Sequence, residues 1–222
     1  MFILSLKLSI FDLKGSVAAL LVGLIVGFLG SIRWLILLIV FAVSSHFATR
    51  AYMEYKTKNN LQEGAHGERR GSNVFYAALV GTVLTLFNFL RPAHLPYFTL
   101  FAISLSVVNA DTFASEIGVI DRNVYMITNF KRTVPGVNGG VSLTGEMAAL
   151  GGSLIVGIAY LILVPGRPNP AYFAAVVLMG FLGCQIDSVL GATLENREKL
   201  TKGEVNLISS LLPVIISALI FY

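Results

Sequence analysis

Residues 168–186 read PNPAYFAAVVLMGFLGCQI, a run without one charged side chain. A helix that crosses the hydrocarbon layer of a bilayer needs about 20 predominantly apolar residues, and this run is long enough. Outward from it, charge-free stretches recur at 15–32, 34–49, 71–90, 92–110, 147–166 and 205–222. Seven candidate spans result. The expected fold is therefore all-α: a polytopic transmembrane helix bundle, one transmembrane domain over 1–222. The shortest stretch, 34–49, is flanked by Arg33 and Arg50, whose long stems extend its reach to the interface. A six-span version, with 15–49 as a hairpin, is the alternative.

Composition agrees. The 222 residues are 55% apolar and 13% charged, with mean hydropathy +0.78. A soluble domain carries roughly 25% charged residues, because something polar must cover its surface. Here lipid takes the place of water over most of that surface. A disordered tail, a disulfide scaffold and a soluble nucleic-acid binder are excluded, and the lone Cys184 forms no intramolecular disulfide. Lys7 and Lys14 ahead of a short apolar run suggest a secretory signal. No A-x-A-like site precedes Arg33, however, and another apolar run follows at once. Residues 1–14 are expected to lie along the interface as a lead-in.

Alternating the spans across the bilayer puts 13 of the 16 Lys and Arg residues on one side, leaving only Arg33, Arg91 and Arg167 on the other. Cytoplasmic loops carry that excess, so a cytoplasmic N-terminus is expected, with cytoplasmic loops at 50–72, 119–142 and 195–204. The net charge of +4 thus reads as orientation rather than affinity for nucleic acid.

An ionisable group at membrane depth is costly unless paired or wet, and so marks function. Asp111 and Glu116 end the fourth span in NADTFASEIG, Glu146 opens the fifth, and Asp187 lies in the last turns of the sixth. All four stand at the same end of the bundle. Secondary transporters bind cargo near the midplane, whereas an enzyme with a cytosolic substrate needs its acids at the rim. Gly180, Gly183, Asp187, Gly191 and Glu195 recur at steps of three and four, forming one stripe that is either a helix-packing face or a close approach for ligand.

Between the fourth and fifth spans, Lys131 and Arg132 are followed by Pro135-Gly136, Asn138-Gly139-Gly140, Ser142 and Thr144. Glycines let backbone N–H groups turn toward an anion, a helix N-terminus adds positive potential, and the cations supply counter-charge. A phosphate cradle is expected, although neither the Walker pattern nor the dinucleotide fingerprint is matched. Mg²⁺ takes one or two carboxylates plus substrate phosphates, and acids flank this loop on both sides. In the first loop Arg69, Arg70 and Asn73 adjoin the third span. His66 lies between Glu63 and Glu68 too loosely for a metal site, and His46 and His94 read as interfacial or packed. Glu204 and Asn206 open the last helix as caps or ligands.

In order, NADTFASEIG (109–118), VPGVNGGVSLTGE (134–146), IDSVLGATLE (186–195) and EVNLISSLLPVIISALI (204–220) resemble the integral-membrane family that contains the plant phytyl-phosphate kinase of vitamin E synthesis and its bacterial and archaeal relatives. The resemblance covers about 64–222. Asp111, Ser115, Glu116, Lys131, Pro135, Gly136, Asn138, Gly139, Gly140, Ser142, Asp187, Gly191 and Asn206 fall in its motif segments. It implies Mg²⁺-dependent transfer of the terminal phosphoryl group of CTP, UTP or ATP to an isoprenyl monophosphate, with Asp111, Glu116 and Asp187 holding metal. Lys131 joins these acids in catalysis. Phosphate contacts are expected from Arg70, Lys131, Arg132, Ser115, Ser142 and the Gly136–Gly140 loop, with the tail among membrane lipids. A lipid-phosphate cytidylyltransferase and an ion-coupled carrier of a phosphorylated substrate are the alternatives.

Overall fold

The computed structural model describes residues 13–62, 71–92 and 96–221. The helices are α1 (Leu13–Ile25, continued by a π-helical turn Val26–Gly30), α2 (Ile32–Arg50), a short α3 (Met53–Lys58), α4 (Gly71–Leu90), α5 (Tyr97–Gly118), α6 (Leu143–Leu163), α7 (Pro170–Thr193, followed by a 3₁₀ turn at Glu195–Arg197) and α8 (Lys202–Phe221). Among the described residues, α2 and α5 to α8 are long and apolar enough to cross a membrane, and Gly15–Gly30 and Phe75–Leu90 are shorter apolar helices. The bundle is the expected polytopic one. The stretch that looked shortest in sequence makes a 19-residue helix, because Arg33 and Arg50 are helical too. Ser31, in an extended conformation, is the single residue that separates it from the preceding π-helical turn.

The centre is α5. Sixteen of its 22 residues are buried, as expected for a helix apolar all round, and it packs against α2, α4, α6, α7 and α8. Without a hydrophobic drive between helices in lipid, close approach of small residues and polar contacts hold such a core. A side chain at Gly180 of α7 would collide with Ser106 and lie 3.0 Å from Ser153, and one at Gly152 of α6 would come within 2.8 Å of the Asn109 carbonyl. Asn109 is fully buried. Its Oδ1 accepts from Ser44 at 3.0 Å and Ser45 at 2.9 Å, and its Nδ2 donates to the Gly152 carbonyl at 2.8 Å. One side chain therefore joins α2, α5 and α6. The first half of α5 instead meets an aromatic cluster, with Trp34 4.7 Å from Phe101 and Phe98 5.6 Å from Tyr160 between ring centroids. Polarity rises toward the C-terminal end of α5, where the loops gather.

The 119–142 segment holds a feature that composition gave no reason to expect: an antiparallel sheet of β1 (Val124–Met126), β2 (Arg132–Thr133) and β3 (Gly140–Val141) in the order β2-β1-β3. Tyr125 faces Arg132 on one side and Val141 on the other. Strands this short carry almost no alternation from which to read them. Ser142 then caps α6 by accepting from the Gly145 N–H at 3.1 Å. Asn169 caps α7 in the same way, with Pro170 at the first helical position, where its missing N–H costs nothing.

Candidate functional site

Where α5, α6 and α7 end near the sheet, they enclose a cavity of about 210 Å³. Asp111, Ser115 and Glu116 from α5, the 135–142 loop, Glu146 from α6, Cys184, Asp187, Ser188 and Gly191 from α7, Glu195 and Lys202 all line it. Of the expected site residues, Asp111, Ser115, Glu116, Gly136, Asn138, Gly139, Gly140, Ser142 and Asp187 therefore share one space. Arg70 lies outside the described residues, as do Arg69, His66 and His94.

Three expected residues are placed differently from their reading. Glu116 is buried against Lys56 of α3: the Lys56 Nζ donates to its Oε2 at 2.7 Å and to the Thr49 carbonyl at 2.6 Å. A carboxylate committed to a buried lysine has little left for a cation, so Glu116 does not group with Asp111 and Asp187. Lys131 and Arg132 stand exposed on the β1–β2 hairpin, outside the cavity lining, where Arg132 donates to Asn123 Oδ1 at 3.0 Å across the strands. The hairpin turns both cations outward. The cation at the cavity is Lys202, the only Lys or Arg that lines it among the described residues, and a sequence reading had no means to prefer it.

Asp187 accepts from Ser209 Oγ at 2.8 Å on α8. With its amide turned so that nitrogen faces Asp187, Asn206 donates to the same Oδ2 at 3.1 Å and to the Lys202 carbonyl at 3.3 Å. Asp111, Lys202 and Glu195 lie within electrostatic reach of Asp187. Glu146 accepts from Gln185 at 2.8 Å, and Asn196 beside Glu195 donates to the Asn138 carbonyl at 3.1 Å. Setting aside the paired Glu116, the lining holds Asp111, Glu146, Asp187 and Glu195 against Lys202 alone, an acidic surplus. A polyphosphate enters such a space only with cations.

The glycine loop shapes one wall of the cavity. Gly136 has φ +84° after Pro135, and Gly139 φ +78° after Asn138, the turn geometry that calls for glycine in the third position. A side chain at Gly139 would lie 2.7 Å from the Ser188 carbonyl, and one at Gly191 3.4 Å from Asn138, so the loop is seated on α7. The Gly140 N–H donates to the Val137 carbonyl at 2.9 Å and the Glu146 N–H to the Ser142 carbonyl at 2.9 Å. The Thr144 N–H reaches Asp121 at 3.4 Å. The Gly140 amide and those of the first turn of α6 are thus already satisfied within the protein. The small-residue stripe of α7 divides accordingly, Gly180 facing α5 and α6, Gly183 facing α5 and α8, and Gly191 facing the loop.

Asp121 ties the end of α5 to the start of α6. The Asn123 N–H and the Thr144 hydroxyl, at 2.9 and 2.8 Å, hold its carboxyl below the usual carboxylate range.

A family model for the integral membrane protein DUF92 matches residues 1–213. The chain belongs to the DUF92 family. Among its relatives are an uncharacterised membrane protein of Methanocaldococcus jannaschii, 26% identical over 219 residues that cover 95% of this chain and 85% of the other, and Protein PGR of Arabidopsis thaliana, 28% identical over 86% of this chain and 74% of the other. Protein VTE6, chloroplastic, of Arabidopsis thaliana is 26% identical over 77% of this chain, and the match spans 54% of that protein. No solved structure matches. The resemblance read from the ordered motifs is borne out by this membership, and with it a multi-pass membrane protein.

Proposed function

We propose that this DUF92 protein is an isoprenyl-phosphate kinase that transfers the terminal phosphoryl group of a nucleoside triphosphate (CTP, UTP or ATP) to an isoprenyl monophosphate of the phytyl type. The observation that carries the reading is the convergence of Asp111 and Asp187, from separate helices, on one acidic cavity beside a glycine loop. At about 1.5 Å per residue, Asp111 stands about 10 Å from the end of α5 and Asp187 about 9 Å from the end of α7. That depth suits a headgroup and a nucleotide arriving from water, and is shallower than the midplane site of a coupled carrier. Ligand pockets usually run to about 300–1,000 Å³. The smaller cavity here suits the reacting phosphates, with nucleoside and prenyl tail outside it and the tail among membrane lipids.

The lining suits Mg²⁺. Among the described residues, no three Asp, Glu, His or Cys side chains are grouped to chelate a metal unaided, and Mg²⁺ is ordinarily held by one or two carboxylates with substrate phosphates completing its shell. Asp111 and Asp187 would hold it; when bound, it neutralises phosphate charge. Ser209 and Asn206 orient Asp187. Lys202 takes a phosphate oxygen, and Ser115 and Asn138 offer hydrogen bonds beside it. An oxygen of the isoprenyl phosphate attacks the γ-phosphorus while the bond to the β–γ bridging oxygen breaks, leaving an isoprenyl diphosphate and a nucleoside diphosphate. The acceptor is already an anion and needs no general base, so positioning and charge neutralisation supply the catalysis. The bias of Lys and Arg toward the loop-bearing end supports a cytoplasmic active site.

The test uses purified protein with phytyl or geranylgeranyl monophosphate, Mg²⁺ and each labelled nucleotide. Expected products are the isoprenyl diphosphate and nucleoside diphosphate, lost in Asp111→Asn and Asp187→Asn. Release of pyrophosphate instead identifies a cytidylyltransferase. No transfer with any nucleotide, or full activity in both variants, ends the assignment.

A further inference from the structure

Lys131 and Arg132, left out of the cavity, belong to a second constellation. The β1–β2 hairpin lies in the connection between two spans, α5 and α6, which places it at the membrane surface. Its tip is closed by the Phe130 N–H donating to the Met126 carbonyl at 2.8 Å and the Met126 N–H donating to the Lys131 carbonyl at 2.9 Å. Phe130 has φ +56°, a left-handed conformation that glycine or asparagine fills easily and a bulky residue rarely adopts. Its ring is nevertheless 77% exposed. A strained backbone that holds a large aromatic side chain mostly in the open is a feature that function, rather than packing, can account for. Val134 on β2's far side, and Leu143 and Met147 on the first turns of α6, are exposed apolar side chains as well. Arg122, Lys131 and Arg132 are all exposed too. The one acid of the 119–142 segment, Asp121, is engaged by Asn123 and Thr144.

We propose that this hairpin is a docking site for anionic phospholipid headgroups, with the Phe130 ring inserted at the interface and Lys131 and Arg132 bound to the headgroup phosphate. Aromatic rings settle at that depth, and basic residues near the surface are attracted to anionic lipid. Arg132 keeps donors free for this role, since its bond to Asn123 uses one of the five N–H groups of a guanidinium. The inference is independent of the chemistry in the cavity.

Phe130→Trp supplies the probe, the buried Trp34 of the wild-type protein giving the background. Titration of the detergent-solubilised variant with phosphatidylglycerol should produce a saturable blue shift, with phosphatidylcholine producing little. Adding Lys131→Gln and Arg132→Gln should raise the midpoint roughly 25-fold, and high salt should act in the same direction. In vesicles, lipids brominated near the headgroup should quench the introduced indole. Equal responses to the two lipids, an unchanged midpoint without the two cations, or an introduced indole that stays as water-accessible in vesicles as in detergent would each overturn the proposal. Phe130→Gly separates folding from docking: relieved of strain, it should melt at or above the wild-type temperature while losing lipid-dependent stabilisation. A lower melting temperature with lipid-dependent stabilisation unchanged assigns Phe130 to the fold and defeats the inference.

Discussion

Asp111 and Glu116 stand on the same helix, within two turns of each other, and face different tasks. Glu116 closes on Lys56 in an ion pair with side chains 8% and 1% exposed, sealing α3 against α5. Asp111 opens on the cavity, within electrostatic reach of Asp187 across from it. Both are acids at the loop-bearing end of one span, but one is sealed in a buried ion pair with a lysine and the other faces the acids and the loop that line the cavity. The difference teaches that placement at the rim is not enough to define a site. What decides is whether the carboxylate is sealed among the helices or faces the cavity.

The largest effect tests the closed half of that comparison. Removing one member of a buried pair strands the other charge and costs about 3–5 kcal/mol, so Lys56→Ala should lower the melting temperature sharply. Lys56→Met combined with Glu116→Leu should recover most of the loss. A Lys56→Ala protein that melts normally would show that the pair is not closed in the membrane. The open half predicts the reverse pattern. Asp111→Asn and Asp187→Asn should cut turnover by about 10²–10³, the scale of losing one preorganised electrostatic group at a reacting centre, while melting as wild type does. If Glu116→Gln abolished turnover without altering stability, the division between the two acids would collapse.

Smaller effects sharpen the contrast between cations. Lys202→Ala should raise the KM for nucleotide by roughly tenfold or more, the scale of a hydrogen bond to a charged group, and Lys131→Ala should leave that KM unchanged. Steady-state kinetics in detergent check both. The smallest effect concerns Asp121. Its folded pKa lies below the usual value of 3.8, so its stabilising contribution is present above that value and is lost as pH falls through the lower folded one. Thr144→Val should melt slightly below wild type at pH 7, and the difference should fade as pH falls through the lowered folded value.

The bundle was legible because lipid imposes a simple rule: gaps between charges long enough to span mark the helices, and α5 to α8 each contain most of one gap, α5 and α7 running about two turns past the acid that closes it. Asp111, Asp187 and the glycine loop were legible for the same reason, since charge and glycine are out of place at such depth. What was not legible depends on contacts between distant parts of the chain. Lys56 and Glu116 are far apart in sequence, and nothing local pairs them. Whether Lys131 or Lys202 turns toward the acids depends on strands of two or three residues, too short to leave a pattern. The use of Asn109 is set by the Gly152 backbone opposite, which is distant in sequence.

That amide has a consequence for how the molecule moves. An alternating-access carrier rocks one half of its bundle against the other, which requires a seam along which the halves can slide. Asn109 crosses two helix boundaries at once, holding the hydroxyls of Ser44 and Ser45 on one side and the Gly152 carbonyl on the other. Parting α5 from α2 or from α6 would break buried hydrogen bonds where no water is at hand to replace them. The helical core is stitched rather than hinged across α2, α5 and α6.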